Sequence, residues 1–223
     1  HSNLHPSGTL RVLAPADYGA LVIVPVTAEF LHRYPDCRAD LRFTDRIVDL
    51  LDGEIDLSIR VGWLTDTSLH ARRLGTFEQF LVASPNFRSQ VEALSVPQDL
   101  ASSPLIANTA LPDPTAWQFT NVSGERRTLQ ARPKLAIDTT RGVHAAVLSG
   151  AGFGILPDFV VAKDIHEGKL IHVLPRWNLP SGGIHAVFPS ARFRPTRVAA
   201  FVDMLAAALK AASARPAGNV SSD

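Results

Sequence analysis

Cysteine is nearly missing from this 223-residue sequence: Cys37 stands alone, which excludes a disulfide framework and a paired-cysteine metal or redox site. It reads as a bystander beside the Pro35-Asp36 turn. An excess of one charge is also missing. Lys and Arg total 22 against 21 Asp and Glu, net +1, so there is no basic footprint of the kind a nucleic-acid phosphate backbone needs. Charged residues are only 19% of the chain, and no apolar run approaches the length of a membrane span. Catalytic signatures are absent as well: no Gly-x-Ser-x-Gly, no Walker loop, no His-Glu-x-x-His. The run Gly150-Ala151-Gly152-Phe153-Gly154 fails as a dinucleotide loop because Ile155 stands where the third glycine belongs. Those glycines read as a helix end and a close backbone approach. His32, His70, His144, His166, His172 and His185 are scattered without metal-ligand spacing and read as surface or packing residues. No cofactor and no metal is implied, and no enzyme class is indicated.

What is present is a core-forming composition, 46% hydrophobic, in a length suited to one large or two small domains. Leu10–Ala14 is an apolar run suited to a buried strand, Ala16–Gly19 reads as a turn, and Val22, Val26 and Phe30 repeat at helical spacing. Ala39, Leu41 and Phe43 then alternate as in a strand. Thr44 is a candidate N-cap for a short helix carrying Ile47, Leu50 and Leu51, closed by Gly53. Ile55, Leu57 and Ile59 make a third strand ending at Arg60-Val61-Gly62. The order βαβαβ implies a parallel sheet with right-handed crossovers. In such sheets ligands sit off the carboxyl ends of the strands, against helix N-termini.

After a polar excursion over Trp63–Gly75, a strand-like run Phe80–Ala83 stops at Ser84-Pro85 and the pattern restarts. A helix is expected over Asn86–Leu94, a short helical turn at Pro97–Leu100, and a strand at Leu105–Ala107. A hairpin follows around Ser123-Gly124, with Trp117–Phe119 and Thr128–Gln130 as its arms. Lys134–Ile137 is a strand and Thr140–Ser149 a helix; Ile184–Phe188 is a late strand; Val198, Phe201, Val202 and Leu205 mark a final helix. The expected architecture is α/β, two Rossmann-like lobes joined by crossing hinge strands at Phe80–Ser84 and Ile184–Phe188. Lobe I comprises 9–82 and 188–211, lobe II 83–187, with flexible tails at 1–8 and 212–223.

The motifs passed so far, LRVLAPADYG, DLRFTDRIVDLLDGEIDLSIRVG, LVASPNF, SGAGFGILPDF, GKLIHVLP and RVAAFVDML, resemble in series the effector-binding domain of LysR-type transcriptional regulators. The resemblance runs from about Thr9 to Leu209. It is nearest the subgroup reading Ser-Asp-Arg and Asp-Leu-x-Ile-Arg, here Thr44-Asp45-Arg46 and Asp56–Arg60. One departure is Ser103-Pro104-Leu105, where many relatives have His-x-Cys-Leu. The resemblance implies a type 2 periplasmic-binding-protein fold acting as a cytoplasmic sensor of a small effector, an organic acid or an aromatic compound. It implies a homodimer, or a tetramer at full length, and DNA contact only through an N-terminal winged helix-turn-helix outside this chain. No membrane is implied. The start at His1, in place of Met, fits a chain preceded by something else.

Residue reading and resemblance converge on one candidate site. Ala16, Asp17 and Tyr18 lie at the first helix N-terminus and Thr44, Asp45 and Arg46 at the second, where unpaired backbone N–H groups attract anions by ~0.3–1 kcal/mol per helix end. Arg60 leaves the third strand at the same edge. From lobe II come Asn108, Thr139, Thr140, Arg141 and Leu156, with Arg141 suited to clamp a carboxylate. Simpler readings stand beside these: Thr44 as a cap only, Arg46 or Arg60 paired with Asp45, Asp49 or Asp56, and Tyr18 packed in the lobe. Asp17 either caps the first helix or selects a ligand bearing a hydroxyl or amine. The rival reading is a periplasmic solute receptor of the same fold.

Overall fold

A computed structural model describes residues 5–45, 54–64, 70–189 and 194–214. The chain divides into two compact units: residues 1–76 with 182–223, and residues 77–181.

The chain begins in unit 1 with β1 (Gly8–Ala14), whose Leu10 and Val12 are fully buried. The expected turn at Ala16–Gly19 is already helix. A short α1 (Ala16–Tyr18) runs into a π-helical turn (Gly19–Ile23) and then α2 (Val24–Arg33). The wide turn precedes Pro25, which has no N–H to give to the preceding turn and whose ring crowds an ordinary α-helical carbonyl. It also moves the buried stripe by one residue. Ile23 is fully buried while Val22 is only half-buried, and the inward set becomes Tyr18, Ile23, Val26 and Phe30. Gly19 is needed there: a Cβ at this position would lie 2.5 Å from Cδ1 of Phe43. β2 (Cys37–Phe43) pairs in parallel with β1, and β3 (Leu57–Gly62) pairs in parallel on the other side of β1. The short helix expected around Ile47–Leu51 lies outside the described residues, as does Gly53. The excursion after Trp63 holds an unforeseen strand, β4 (His70–Phe77), whose exposed Arg72 and Arg73 hid its pattern.

Unit 2 opens with β5 (Gln79–Ala83) and a 3₁₀ turn (Pro85–Phe87) leading into α3 (Arg88–Glu92); a second 3₁₀ turn follows (Pro97–Ser102). Next come β6 (Ile106–Asn108), the hairpin of β7 (Ala116–Asn121) and β8 (Arg126–Gln130), β9 (Leu135–Ile137) and α4 (Thr140–Leu148). β10 (Gly154–Pro157) is reached through the glycine run. Gly150 has φ +78°, and a Cβ on Gly152 would come within 2.2 Å of the Pro104 carbonyl oxygen, so helix end and close approach both hold there. α5 (Asp158–His166), β11 (Ile171–His172) and β12 (Trp177–Asn178) complete the unit. None of these three was expected. Only Val161 of α5 is buried, so the helix carries no clear apolar stripe. The chain then returns to unit 1 with β13 (Gly182–Phe188) and α6 (Thr196–Ser213), whose Val198, Phe201, Val202 and Leu205 are buried as their spacing foretold.

The two sheets repeat one plan. In unit 1 the order is β2-β1-β3-β13-β4, with β13 antiparallel to β3. In unit 2, β9 and β6 are parallel, and a parallel bridge Leu105–Phe153 connects them to β10. β5 follows antiparallel, then β11. This corrects the expectation for the crossing strands. Phe80–Ala83 is ladder-paired on both sides inside unit 2, and Ile184–Phe188 belongs wholly to the sheet of unit 1. The division falls before each strand, at Thr76/Phe77 and Ser181/Gly182. Apolar runs reveal strands but not their partners. In unit 1, Phe30 and Phe201 are fully buried and meet edge-to-face at 5.6 Å, each ring worth ~1.5–3 kcal/mol by burial. In unit 2, Val82, Ile106, Val143, Val147, Leu156 and Val161 form one core beneath α4 and α5.

Candidate functional site

Strand register decides which loops emerge together. In unit 1, Ala14 is opposite Phe43, so Pro15-Ala16 and Thr44-Asp45 leave the sheet side by side, and the Thr44 N–H donates to the Ala14 carbonyl at 2.9 Å. The Ala16 N–H donates to Oδ1 of Asp45 at 3.1 Å. Asp45 therefore satisfies the first amide of the helix, a task Asp17 was a candidate for. The N-cap itself is Pro15, which offers no side-chain cap, and Asp17 stands in the first turn. Two carboxylates of the chain thus sit at this positive helix end. Tyr18 is 1% exposed, so packing is its role, not stacking on a ligand. Leu13 aligns with Ser58, which puts half-buried Arg60 beyond the end of β1, at the carboxyl edge as expected. Asp56 is not its partner. The Asp56 carboxylate accepts the Arg11 N–H at 2.9 Å and pairs with Arg197 at 3.4 Å. Arg46 and Asp49 lie outside the described residues.

In unit 2, Asn108 is opposite Ile137 at the ends of β6 and β9. Asn108 is 7% exposed; its Nδ2 donates to Oγ1 of Thr140 at 3.3 Å while its Oδ1 accepts the Ala110 N–H at 3.1 Å. Thr139 caps α4, its Oγ1 accepting the Gly142 N–H at 3.0 Å. Arg141 projects from the first turn, exposed, with no hydrogen bond among the described residues, and no acidic residue stands in that turn. The structure thus gathers Asn108, Thr139, Thr140 and Arg141 at one helix end. Leu156 does not join them: at 0% exposure it is a core residue beneath α4.

Four polar features escaped the sequence reading. His144 on α4 meets Asp164 on α5, Nε2 to Oδ2 at 2.6 Å. Asp158, opening α5, accepts N–H bonds from Glu78 at 3.1 Å and Phe159 at 2.7 Å, yet burial pushes its carboxyl above the usual range. His172, tilted against Phe80 at 4.4 Å, is pushed below the ordinary histidine range by burial. His185 is lowered by burial and by the charge of Arg73. Apart from the Phe159–Asp158 bond, each pairing joins residues 20 or more apart, so no local spacing marks it. Cys37 is buried and its thiol raised by desolvation, which makes it inert. Among the described residues, no group of three or more His, Cys, Asp or Glu is placed to hold a metal. No described helix is long and apolar enough to cross a membrane.

Two α/β units of matching strand order, with polar donors at the carboxyl ends of parallel strands, define a two-lobe ligand-binding fold of the type 2 periplasmic-binding kind. The profile of the LysR substrate binding domain matches residues 3–210, and the chain belongs to that family. It is 41% identical over 200 residues to the HTH-type transcriptional regulator PtxR of Pseudomonas aeruginosa, a match covering 90% of this chain and 64% of PtxR. It is 30% identical over 201 residues to the HTH-type transcriptional regulator DmlR of Escherichia coli, covering 90% of this chain and 65% of DmlR. The chain thus spans less than two thirds of either relative. Among solved structures, the regulatory domain of CrgA from Neisseria meningitidis superposes with a TM-score of 0.79 at 27% identity, covering 92% of this chain and all of that one. Full-length AphB of Vibrio cholerae gives 0.78 at 27% identity, covering 92% of this chain and 69% of that one.

Proposed function

We propose that this chain is the effector-sensing part of a cytoplasmic LysR-type transcription factor and that its effector is a small organic acid, aliphatic or aromatic. The observation that carries the acid is the α4 N-terminus. A neutral threonine cap, the Asn108–Thr140 pair and the exposed Arg141 converge there without a carboxylate in the first turn. Backbone N–H groups at a helix start and a guanidinium fork both favour a carboxylate. In unit 1 the candidate effector contacts are Ala16, Asp17, Thr44, Asp45, Arg46 and Arg60. The arrangement binds and holds; it offers no nucleophile with its base, and the chain is a sensor, not an enzyme. DNA contact falls to a helix-turn-helix outside these residues, as the names of its relatives suggest. Two such chains pair through the π-helical turn and α2, within residues 19–34, where Leu21 is 51% and Val24 43% exposed beside exposed Pro25 and Ala28. The relatives' names favour this over a periplasmic solute receptor.

A thermal-shift screen of aliphatic and aromatic carboxylates, followed by titration calorimetry of the best one, tests the site. Arg141→Ala and Thr140→Val each weaken that compound at least several-fold. Unchanged affinity in both variants overturns the placement. Sedimentation tests the pairing, and a monomer that persists at high concentration refutes it.

A further inference from the structure

Two contacts that ligand binding does not use lie at opposite ends of α5. Thr140 and His144 are four residues apart on α4, so they share a face of that helix. Thr140 holds Asn108, and His144 holds Asp164 of α5 at 2.6 Å, both side chains mostly buried. Val143 and Val147 of α4, Leu156 of β10 and Val161 of α5 are all 0% exposed and belong to one close-packed core, which transmits strain between the elements it joins. At its other end α5 grips the segment by which the chain comes into unit 2. Asp158 and Glu78 bond reciprocally, Glu78 N–H to the Asp158 carboxylate at 3.1 Å and Asp158 N–H to the Glu78 carbonyl at 2.8 Å. Beside them the rings of Phe77 and Phe159 meet at 6.0 Å, nearly edge-on. Phe77 and Glu78 are the first two residues of unit 2.

We propose that α5 is a transmission element, coupling the Asn108–Thr140 end of α4 through the His144–Asp164 clip to the Asp158–Glu78 junction where the chain passes from unit 1 into unit 2. His144, Asp164 and Asp158 are then positioning residues that touch no ligand. A change at Thr140 shifts α4, the clip carries the shift to α5, and α5 loosens or tightens its hold on Glu78. Its regulatory meaning rests on the ligand reading of the α4 N-terminus. The coupling itself does not.

Amide hydrogen exchange on the 223-residue chain without ligand tests the coupling. The readout is the exchange rate of the Glu78 amide divided by that of Val173, whose N–H donates to the Leu81 carbonyl at 2.8 Å and reports opening of the unit 2 core. Thr140→Val raises this ratio by about threefold or more, the scale of coupling between residues in one network. In an Asp164→Asn background the same substitution leaves the ratio unmoved, and His144→Gln, which breaks the clip from the other side, gives the same result. Independent local contacts would make Thr140→Val act equally in both backgrounds or not at all, and either outcome overturns the proposal. Since no ligand is present, failure here leaves the effector site standing. Unchanged carboxylate affinity in both Arg141→Ala and Thr140→Val would sink that site and leave this coupling intact.

Discussion

Among the described residues, the two helix N-termini that carry candidate site residues are finished in opposite ways. In unit 1 the first amide, that of Ala16, is already occupied by the Asp45 carboxylate, and Asp17 adds a second negative charge in the first turn. In unit 2 the cap is the neutral hydroxyl of Thr139 and the first turn carries Arg141. Equal backbone dipoles thus present different faces: one end is neutralised from within, the other is left positive. Strand order alone does not separate the two units, but their helix caps do. The helix start in unit 2 should favour an anionic ligand, and the one in unit 1, with its two carboxylates, should disfavour one.

Reversing each end separately is the strongest way to break that comparison. Arg141→Ala should weaken a bound carboxylate by about 10- to 100-fold, the worth of a hydrogen bond to a charged group. Asp17→Asn should move affinity the other way, by about threefold, the worth of a charge at a helix end. Calorimetry of both variants against one carboxylate checks the pair, and equal losses would refute the asymmetry.

A second difference is steric. Gly19 carries the unit 1 helix past Phe43, where a Cβ would lie 2.5 Å from the ring, so Gly19→Ala should destabilise by ~1–3 kcal/mol in urea unfolding. A wild-type midpoint would show that Phe43 swings aside freely.

The caps themselves should count alike despite their different charge. Asp45→Ala and Thr139→Ala each remove one acceptor from a helix-start N–H, and each should cost ~1 kcal/mol by the same measurement. A loss confined to one of them would mean that the other end is capped by something else.

The smallest effect is on pH. His172 is lowered by burial, so the folded chain holds a neutral ring where the unfolded chain, near pH 6.5, takes up a proton. That contribution is whole above about pH 6.5 and is lost as pH falls through the lowered value. Asp158 is raised by burial and works in the other direction, adding stability as pH falls through the raised value toward about 4. His172→Phe should therefore flatten the acid-side decline of the melting temperature between pH 6.5 and 5, and Asp158→Asn should deepen it. Curves parallel to wild type would mean that neither group titrates differently on folding.

Much of this was legible in the chain. The spacing of Val198, Phe201, Val202 and Leu205 placed the last helix, and the hairpin around Gly124 followed from its turn residues. Asn108, Thr139, Thr140 and Arg141 were readable as donors at strand and helix ends because such ends recur at the carboxyl edge of parallel sheets. The first helix was readable in period but not in phase, since a π turn before Pro25 put Ile23 inward. α5 was missed because it buries one residue and shows no stripe, and β4 because its charged side chains face outward. Leu156 and Tyr18 were placed in the site by position along the chain, and only burial revealed them as packing.

Composition and periodicity by themselves determined that this is an α/β chain without a disulfide framework or a recognisable catalytic motif, with polar groups waiting at strand ends. These are consequences of local chemistry, of 2- and 3.6-residue repeats and of residue types, and they do not depend on what lies opposite. Pairing decided the rest. Tertiary structure put Asp45 on Ala16, Asp56 on Arg197, His144 on Asp164 and Glu78 on Asp158, contacts spanning 20 to 141 residues. A carboxylate's role depends on which donor the fold sets within hydrogen-bond reach of it, and no local pattern carries that information.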